Sequence, residues 1–308
     1  MPARAETTEA SIIVPAYRAG GRLRACVDSL LAMRFAGTFE VIVAASADTP
    51  ELLPQLPPDP RLTIIPHVPR LRAASARNRA ARVARGRALA FTDADVVVHP
   101  DWLSRLVEAS DGNRLCVAGS VVNGTPESPA GTTEYLIGFL DLHPRRPPAT
   151  AWHGATCNLL IPRHLWDHLG PFPEDLDGGE DTLVTVHLRE RGLFRFAPSA
   201  GVVHHNRTAL SRVLANQFYA GGYTARLGRR SPYKLRPLVR YTALAPLAVG
   251  ARMISLYARA AAWDRSLLRR AVGLSPVVML ALLTWGAGLT TEGLRMDLGR
   301  TRGRTPTG

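Results

Sequence analysis

Through its first 120 residues the chain alternates short apolar runs with amphipathic stretches, and this alternation leaves few architectures open. Residues 11–14 (SIIV) form an apolar run closed by Pro15, the pattern of a strand buried on both faces. Leu23, Cys26, Val27, Leu30 and Leu31 then recur at helical spacing. Residues 40–45 (EVIVAA), 62–65 (LTII), 87–92 (RALAFT) and 115–122 repeat the strand signature, and proline-rich 50–60 reads as a loop. Residues 73–85 read as a basic, alanine-rich helix. Behind Pro100, Trp102, Leu103, Leu106 and Val107 give another helix an apolar side. Strand, helix and strand in succession predict an α/β fold, a mostly parallel sheet flanked by crossover helices. Such sheets bind ligands beyond the carboxyl ends of their strands.

With 308 residues, 46% of them apolar, the chain has ample material for a packed core and is not a disordered protein. Three widely spaced cysteines, Cys26, Cys116 and Cys157, exclude a disulfide scaffold and a cysteine-based zinc cluster and point to a reducing compartment. Lys+Arg 38 against Asp+Glu 25 leaves a net charge of +13, which suits anionic lipid, sugar phosphates or nucleic acid. No basic run is interleaved with surface aromatics, so nucleic acid is not an expected partner.

Residues 1–10 hold no apolar core and do not read as a signal peptide. Residues 271–291 carry no charge and are long enough to cross a hydrocarbon layer of about 30 Å. Residues 241–251 form a second, shorter uncharged stretch. Gly273, Pro276, Gly286 and Gly288 would weaken a soluble helix but are tolerated in membranes. Membrane association is therefore expected over a buried soluble helix. Arginines on both sides of the long segment favour a hairpin of two segments over a single span. The chain divides by this reading into a flexible start (1–9), a main α/β domain (10–230), an apolar helical region (231–296) and a tail (297–308). Between residues 124 and 152 the periodicity fails, and the stretch reads as a substrate-facing loop or an ordinary connector.

Three clusters could carry chemistry. Asp93 and Asp95 follow a buried strand and project to one side of an extended segment, a pair of hard oxygen ligands suited to Mg²⁺ or Mn²⁺ bridging a diphosphate. A turn in which the aspartates bond local backbone is the alternative. Glu180 and Asp181 follow two glycines and open an amphipathic helix. They could cap it, or one could act as a general base. His204 and His205 follow an apolar run, and one imidazole could complete a metal shell. His67, His99, His143, His164, His168 and His187 show no ligand spacing.

These fragments carry a resemblance. SIIVPAY (11–17), Arg77-Asn78, FTDAD (91–95), GATCNLLIPR (154–163), Gly170-Pro-Phe172, Gly179-Glu-Asp181 and His204 occur in an order similar to that of family 2 glycosyltransferases of the GT-A fold, over about residues 10–225. The resemblance implies a GT-A domain followed by the apolar C-terminal helical region. Pro15, Ala16 and Tyr17 would hold the nucleoside, Arg72 and Arg77 would contact base or diphosphate, and Asp93 and Asp95 would bind the cation and ribose-diphosphate. Asp181, with Glu180 beside it, would be the catalytic base, His204 or His205 a metal or diphosphate ligand, and Asn158 an acceptor-side residue. The implied activity is inverting, metal-dependent transfer from a nucleotide-sugar donor to a hydroxyl acceptor at the cytoplasmic membrane face, with Mn²⁺ or Mg²⁺. The family's acid-rich end of the second strand is replaced here by Val43-Ala44-Ala45-Ser46-Ala47-Asp48, which leaves the nucleobase open. A nucleotidyltransferase on a related sheet and a non-catalytic binding module of the same fold are the competing readings.

Overall fold

The computed structural model describes residues 8–17, 19–46, 55–67, 71–176, 178–230 and 236–302. Asp48 and Asp177, with residues 50–54 of the loop read at 50–60, lie outside them. The chain begins β1 (Ala10–Ala16), α1 (Arg22–Leu31), β2 (Phe39–Ser46), β3 (Leu62–His67), α2 (Ala73–Val83), β4 (Ala88–Thr92) and β5 (Val96–Val98). It continues through α3 (Trp102–Ala109), β6 (Cys116–Asn123), α4 (Pro129–Gly138), β7 (Asn158–Pro162), α5 (Arg163–Leu169), α6 (Glu180–Glu190) and β8 (Phe194–His204). The helices α7 (Leu210–Arg230), α8 (Arg236–Arg240), α9 (Ala245–Trp263), α10 (Arg265–Gly273) and α11 (Ser275–Arg302) complete it.

Two compact units result. The first comprises residues 1–124 and 142–205, the second residues 125–141 and 206–308. The division thus falls at His205, ahead of the boundary read near 230, and places α4 in the second unit.

In the first unit one sheet runs β3-β2-β1-β4-β7-β6-β8-β5. β1 pairs in parallel with β2 and β4, β2 with β3, and β6 with β8. β7 lies antiparallel between β4 and β6, and β5 is antiparallel to β8. The sheet is therefore mixed, with less parallel character than the strand–helix alternation implies, because an apolar run carries no mark of its direction. β1 and β4 are buried almost throughout, as their unbroken apolar runs predict. Phe91, the last residue but one of β4, packs on Trp166 and Phe172 at centroid distances of 5.4 and 5.3 Å. Asn78 on α2 fixes that layer: its amide donates to the Phe172 carbonyl and to Glu174, and its oxygen accepts from the Phe172 amide.

The second unit is helical. Its core gathers Leu136 and Ile137 of α4, Ala225 of α7, Leu256 of α9, and Leu282 and Trp285 of α11. The stretch 124–152 is corrected here: it contains α4, not an irregular connector. This helix is buried on nearly all sides, so it shows no apolar stripe for a periodicity to reveal. Ser128 caps it by accepting from the Gly131 amide, with Pro129 at the first helical position. Buried Glu134 accepts from the Arg207 backbone amide at 2.6 Å, from the Arg207 guanidinium, and from Asn216 at 3.1 Å. Residues 275–298 of α11 are long and apolar enough to cross a membrane, and 44% of that window is buried inside the protein.

Candidate active site

Strand directions bring the candidate residues to one end of the strands in the first unit's sheet. β1 and β4 run side by side, with Ile13 opposite Phe91, so Pro15–Tyr17 and Asp93–Asp95 leave the sheet at the same end. β7 enters at that end, with Asn158 opposite Thr92, which places Thr156 and Cys157 there as well. β8 arrives with His204 opposite Val96, the residue after Asp95.

This register resolves the two histidines. His204 is buried, its Nε2 lies 3.5 Å from Asp95 Oδ1, and Asp93, Asp95 and His204 each offer a ligand atom within 4.8 Å of the other two. His205 instead uses its backbone: its amide donates to the Asp95 carbonyl at 2.9 Å, and its own carbonyl accepts from Arg22 at 2.7 Å. Two carboxylates and one imidazole are a donor set that fits Mn²⁺ or Mg²⁺. The Asp93–Asp95 turn is held from below, where the Cys26 thiol donates to the Asp93 carbonyl at 3.4 Å. Burial, and then the charges of Asp95 and Asp93, push that thiol far above its ordinary range, so it stays a neutral packing group.

Arg77 joins this turn to α6. It is 4% exposed; one terminal nitrogen donates to Asp93 at 2.6 Å and the other to Glu180 at 2.9 Å. Burial opposes its charge, but Asp93 and Glu180 more than offset that cost and hold the guanidinium firmly protonated. The resemblance assigns Arg77 to base or diphosphate. Its terminal nitrogens are already engaged by carboxylates, so it serves as a bridge. Arg72, the other arginine so assigned, is exposed at the start of α2, where it reaches the Glu174 carbonyl at 3.5 Å.

Glu180 and Asp181 sit in the first turn of α6 behind Gly179, whose φ of 80° lies in the left-handed region that glycine enters without cost. Gly179 at the N-cap has no side chain to offer, and the acids of the first turn supply acceptors for its free amides, Asp181 for that of Thr182. Glu180 is buried. Burial first, and then the charge of Asp181, raise its carboxyl to about 7 against the pull of Arg77. Asp181 is half-buried. Its Oδ2 accepts from the Thr156 amide at 3.1 Å and the Thr156 hydroxyl at 3.4 Å, and its Oδ1 accepts from the Thr182 amide at 2.6 Å. Thr185 on the next turn donates to the Asp181 carbonyl and accepts from Gly154, tying α6 to the segment ahead of β7.

Pro15 and Tyr17 are half-buried and Ala16 is buried, at the end of β1. Asn158 departs from its expected acceptor-side role. It is fully buried, its oxygen accepts from Trp102 at 2.8 Å, and its amide nitrogen donates to Ser120 at 2.8 Å and Ala200 at 2.7 Å. An amide committed in this way locks neighbouring strands together and has nothing to offer an acceptor. Thr156, by contrast, escaped the sequence reading, since a lone threonine carries no signal until β7 places it against Asp181.

A mixed sheet flanked by helices, with paired acids and a histidine at its strand ends and a further acid opening α6, is a GT-A-like architecture. The chain belongs to glycosyl transferase family 2, whose family model matches residues 11–169. Among curated relatives, the succinoglycan biosynthesis protein ExoO of Rhizobium meliloti is 30% identical over 231 residues, 69% of this chain and 65% of that protein. The pre-mycofactocin glycosyltransferase of Mycobacterium tuberculosis is 32% identical over 158 residues, 49% of this chain. The matched region spans only 34% of that relative's length. Among solved structures, the mannosyltransferase PcManGT of Pyrobaculum calidifontis, in complex with GDP-Man and Mn²⁺, superposes with a TM-score of 0.55 at 22% identity. That alignment covers 96% of this chain and 86% of the other, and it supports the same fold.

Proposed function

We propose that this chain is an inverting, metal-dependent glycosyltransferase that moves a sugar from a nucleoside-diphosphate donor to a hydroxyl acceptor. The observation that carries the reading is the convergence of Asp93, Asp95 and His204 with Asp181, the residue after the Glu180 that Arg77 ties to Asp93. Asp93, Asp95 and His204 would hold a Mn²⁺ or Mg²⁺ ion, which supplies charge neutralisation for the departing diphosphate. Asp181 accepts the acceptor's proton as the hydroxyl oxygen attacks the anomeric carbon opposite the leaving group, so configuration inverts and no covalent enzyme intermediate forms. Thr156 holds the Asp181 carboxylate in place through Oδ2. Pro15, Ala16 and Tyr17 form the nucleoside side of the site.

PcManGT, with GDP-Man and Mn²⁺ bound, supports the donor class and the ion, and ExoO, a succinoglycan biosynthesis protein, supports a role in glycan synthesis. The acceptor is then a glycan, lipid-linked or small-molecule hydroxyl reached at the cytoplasmic membrane face, in keeping with the long apolar helix α11 of the second unit.

The deciding experiment incubates the chain with a panel of nucleotide sugars and Mn²⁺. Release of nucleoside diphosphate is expected. Pyrophosphate in its place would mark a nucleotidyltransferase, and no turnover with any donor would leave a binding module.

A further inference from the structure

The α11 segment that is long enough to span a bilayer is also the core helix of the second unit, and its packing decides how it can meet lipid. α7 and α11 touch backbone to backbone: a Cβ on Gly221 would run into the Trp285 carbonyl, and one on Gly288 into the Phe218 carbonyl. Arg226 pairs with Glu292 at 3.0 Å and Arg229 with Asp297 at 2.7 Å along the same seam. Helix α7 also carries Arg212, Asn216, Gln217 and Arg230. Moving α11 across a bilayer would either strip it from this partner or drag these charges into hydrocarbon, where each is costly.

Large apolar side chains of the helical region nevertheless remain exposed, and on α9 and α11 they recur at helical spacing. Leu247 and Ile254 on α9, Val272 on α10, and Leu280, Leu283 and Leu294 on α11 all face solvent, Ile254 at 73% and Leu283 at 54%. Arginines accompany them: Arg240 on α8 and Arg295 on α11 are exposed. Arg265, Arg269 and Arg270 are exposed on α10, in the connection between α9 and α11. An open recess of about 640 Å³ is lined by Arg229, Arg240, Tyr241, Thr290, Leu294 and Asp297 among others; Asp297 pairs with Arg229 there, so Arg240 brings the exposed guanidinium beside the apolar wall. Exposed aliphatic side chains interspersed with arginine complement an acyl layer beneath anionic headgroups.

We propose that the exposed face of α9, α10 and α11 docks on an anionic lipid surface without crossing it, and that the recess beside Arg240 takes a lipid phosphate headgroup. This extends the membrane-face reading above by naming the surface and the mode of contact. Vesicle binding is measured without donor or metal, so its failure leaves the transfer chemistry standing, and a failed transfer assay leaves the docking result standing.

The test is sedimentation of the full chain with phosphatidylcholine vesicles and with phosphatidylcholine–phosphatidylglycerol vesicles. Roughly tenfold tighter binding to the anionic vesicles, weakened by salt, is expected. Ile254→Glu combined with Leu283→Glu should abolish binding while the circular dichroism spectrum is unchanged. Arg240→Ala combined with Arg270→Ala should remove the preference for phosphatidylglycerol. An alkaline carbonate wash should release the bound protein. Retention through that wash would overturn surface docking in favour of a span, and binding indifferent to lipid charge would overturn the headgroup assignment. Failure to bind vesicles, together with a dimer in light scattering that Ile254→Glu/Leu283→Glu dissociates, would assign the face to a second copy of the chain.

Discussion

Arg77 and Glu180 meet at 2.9 Å with both side chains closed off from solvent, and the second terminal nitrogen of the same guanidinium lies 2.6 Å from Asp93. A single arginine therefore ties the turn that presents two candidate metal ligands to the helix that presents the candidate base. Its planar fork suits two carboxylates at once, which an ammonium cannot reproduce.

Replacing Arg77 by methionine should leave buried Glu180 and half-buried Asp93 without their shared guanidinium, at a cost of about 3 kcal/mol in unfolding free energy. Arg77→Lys should keep most of that stability, because the charge remains, yet lower kcat by roughly a hundredfold, because one nitrogen cannot hold Asp93 and Glu180 apart at their present separation. Denaturant unfolding and steady-state kinetics on both variants check this. Equal kcat in Arg77→Lys and the parent would reduce the bridge to a merely structural role.

Glu180 gives a stability profile with a definite sign. Its folded pKa is raised from 4.5 to about 7, chiefly by burial and next by Asp181. Below pH 4.5 both folded and unfolded states hold the proton. As pH climbs towards 7, the unfolded chain ionises first, and the folded state loses roughly 3 kcal/mol of the stability it had in acid. Thermal melting of the metal-free protein between pH 4.5 and 8 should show this decline. Glu180→Gln, which cannot ionise, should flatten it.

The metal and base assignments separate experimentally. Asp95→Asn and His204→Gln should each raise the Mn²⁺ concentration needed for half-maximal activity by roughly tenfold or more, since each removes a ligand atom. Asp181→Asn should lower kcat by about a thousandfold or more while donor affinity, read by calorimetry, moves little. Thr156→Val removes only the hydroxyl contact to Asp181 and should lower kcat by about tenfold with KM for the donor unchanged. A parallel loss of donor affinity in Asp181→Asn would move that residue from the base role to donor binding.

What was legible in the sequence follows from where its signals arise. Asp93 and Asp95 stand directly after an unbroken apolar run, so both their position at a strand's carboxyl end and their likeness to a cation site could be read locally. The partnership of His204 with Asp95 depends on the antiparallel β5–β8 register, a pairing between residues more than a hundred apart. The bridging of Arg77 and the commitment of Asn158 to Trp102, Ser120 and Ala200 depend on such long-range pairing as well. Local pattern is silent on these. It is silent too on α4, whose burial on nearly all sides erases the stripe by which a surface helix announces itself.

The α7–α11 seam offers a test of the second unit that is independent of any chemistry. Gly221 faces the Trp285 carbonyl and Gly288 the Phe218 carbonyl at distances that leave no room for a side chain, so these glycines let the two helix backbones touch. Gly288→Val should therefore force the helices apart, breaking the Trp285 Nε1 to Thr224 contact at 3.4 Å and straining the Arg226–Glu292 pair. Overpacking of this kind costs about 1–3 kcal/mol. Gly250 on α9, where an added Cβ meets nothing within 4 Å, provides the control: Gly250→Ala should be neutral or slightly stabilising, through helix propensity alone. Differential scanning calorimetry of the two variants measures both effects. A Gly288→Val protein that melts with the parent would show that α7 and α11 do not pack backbone to backbone in solution.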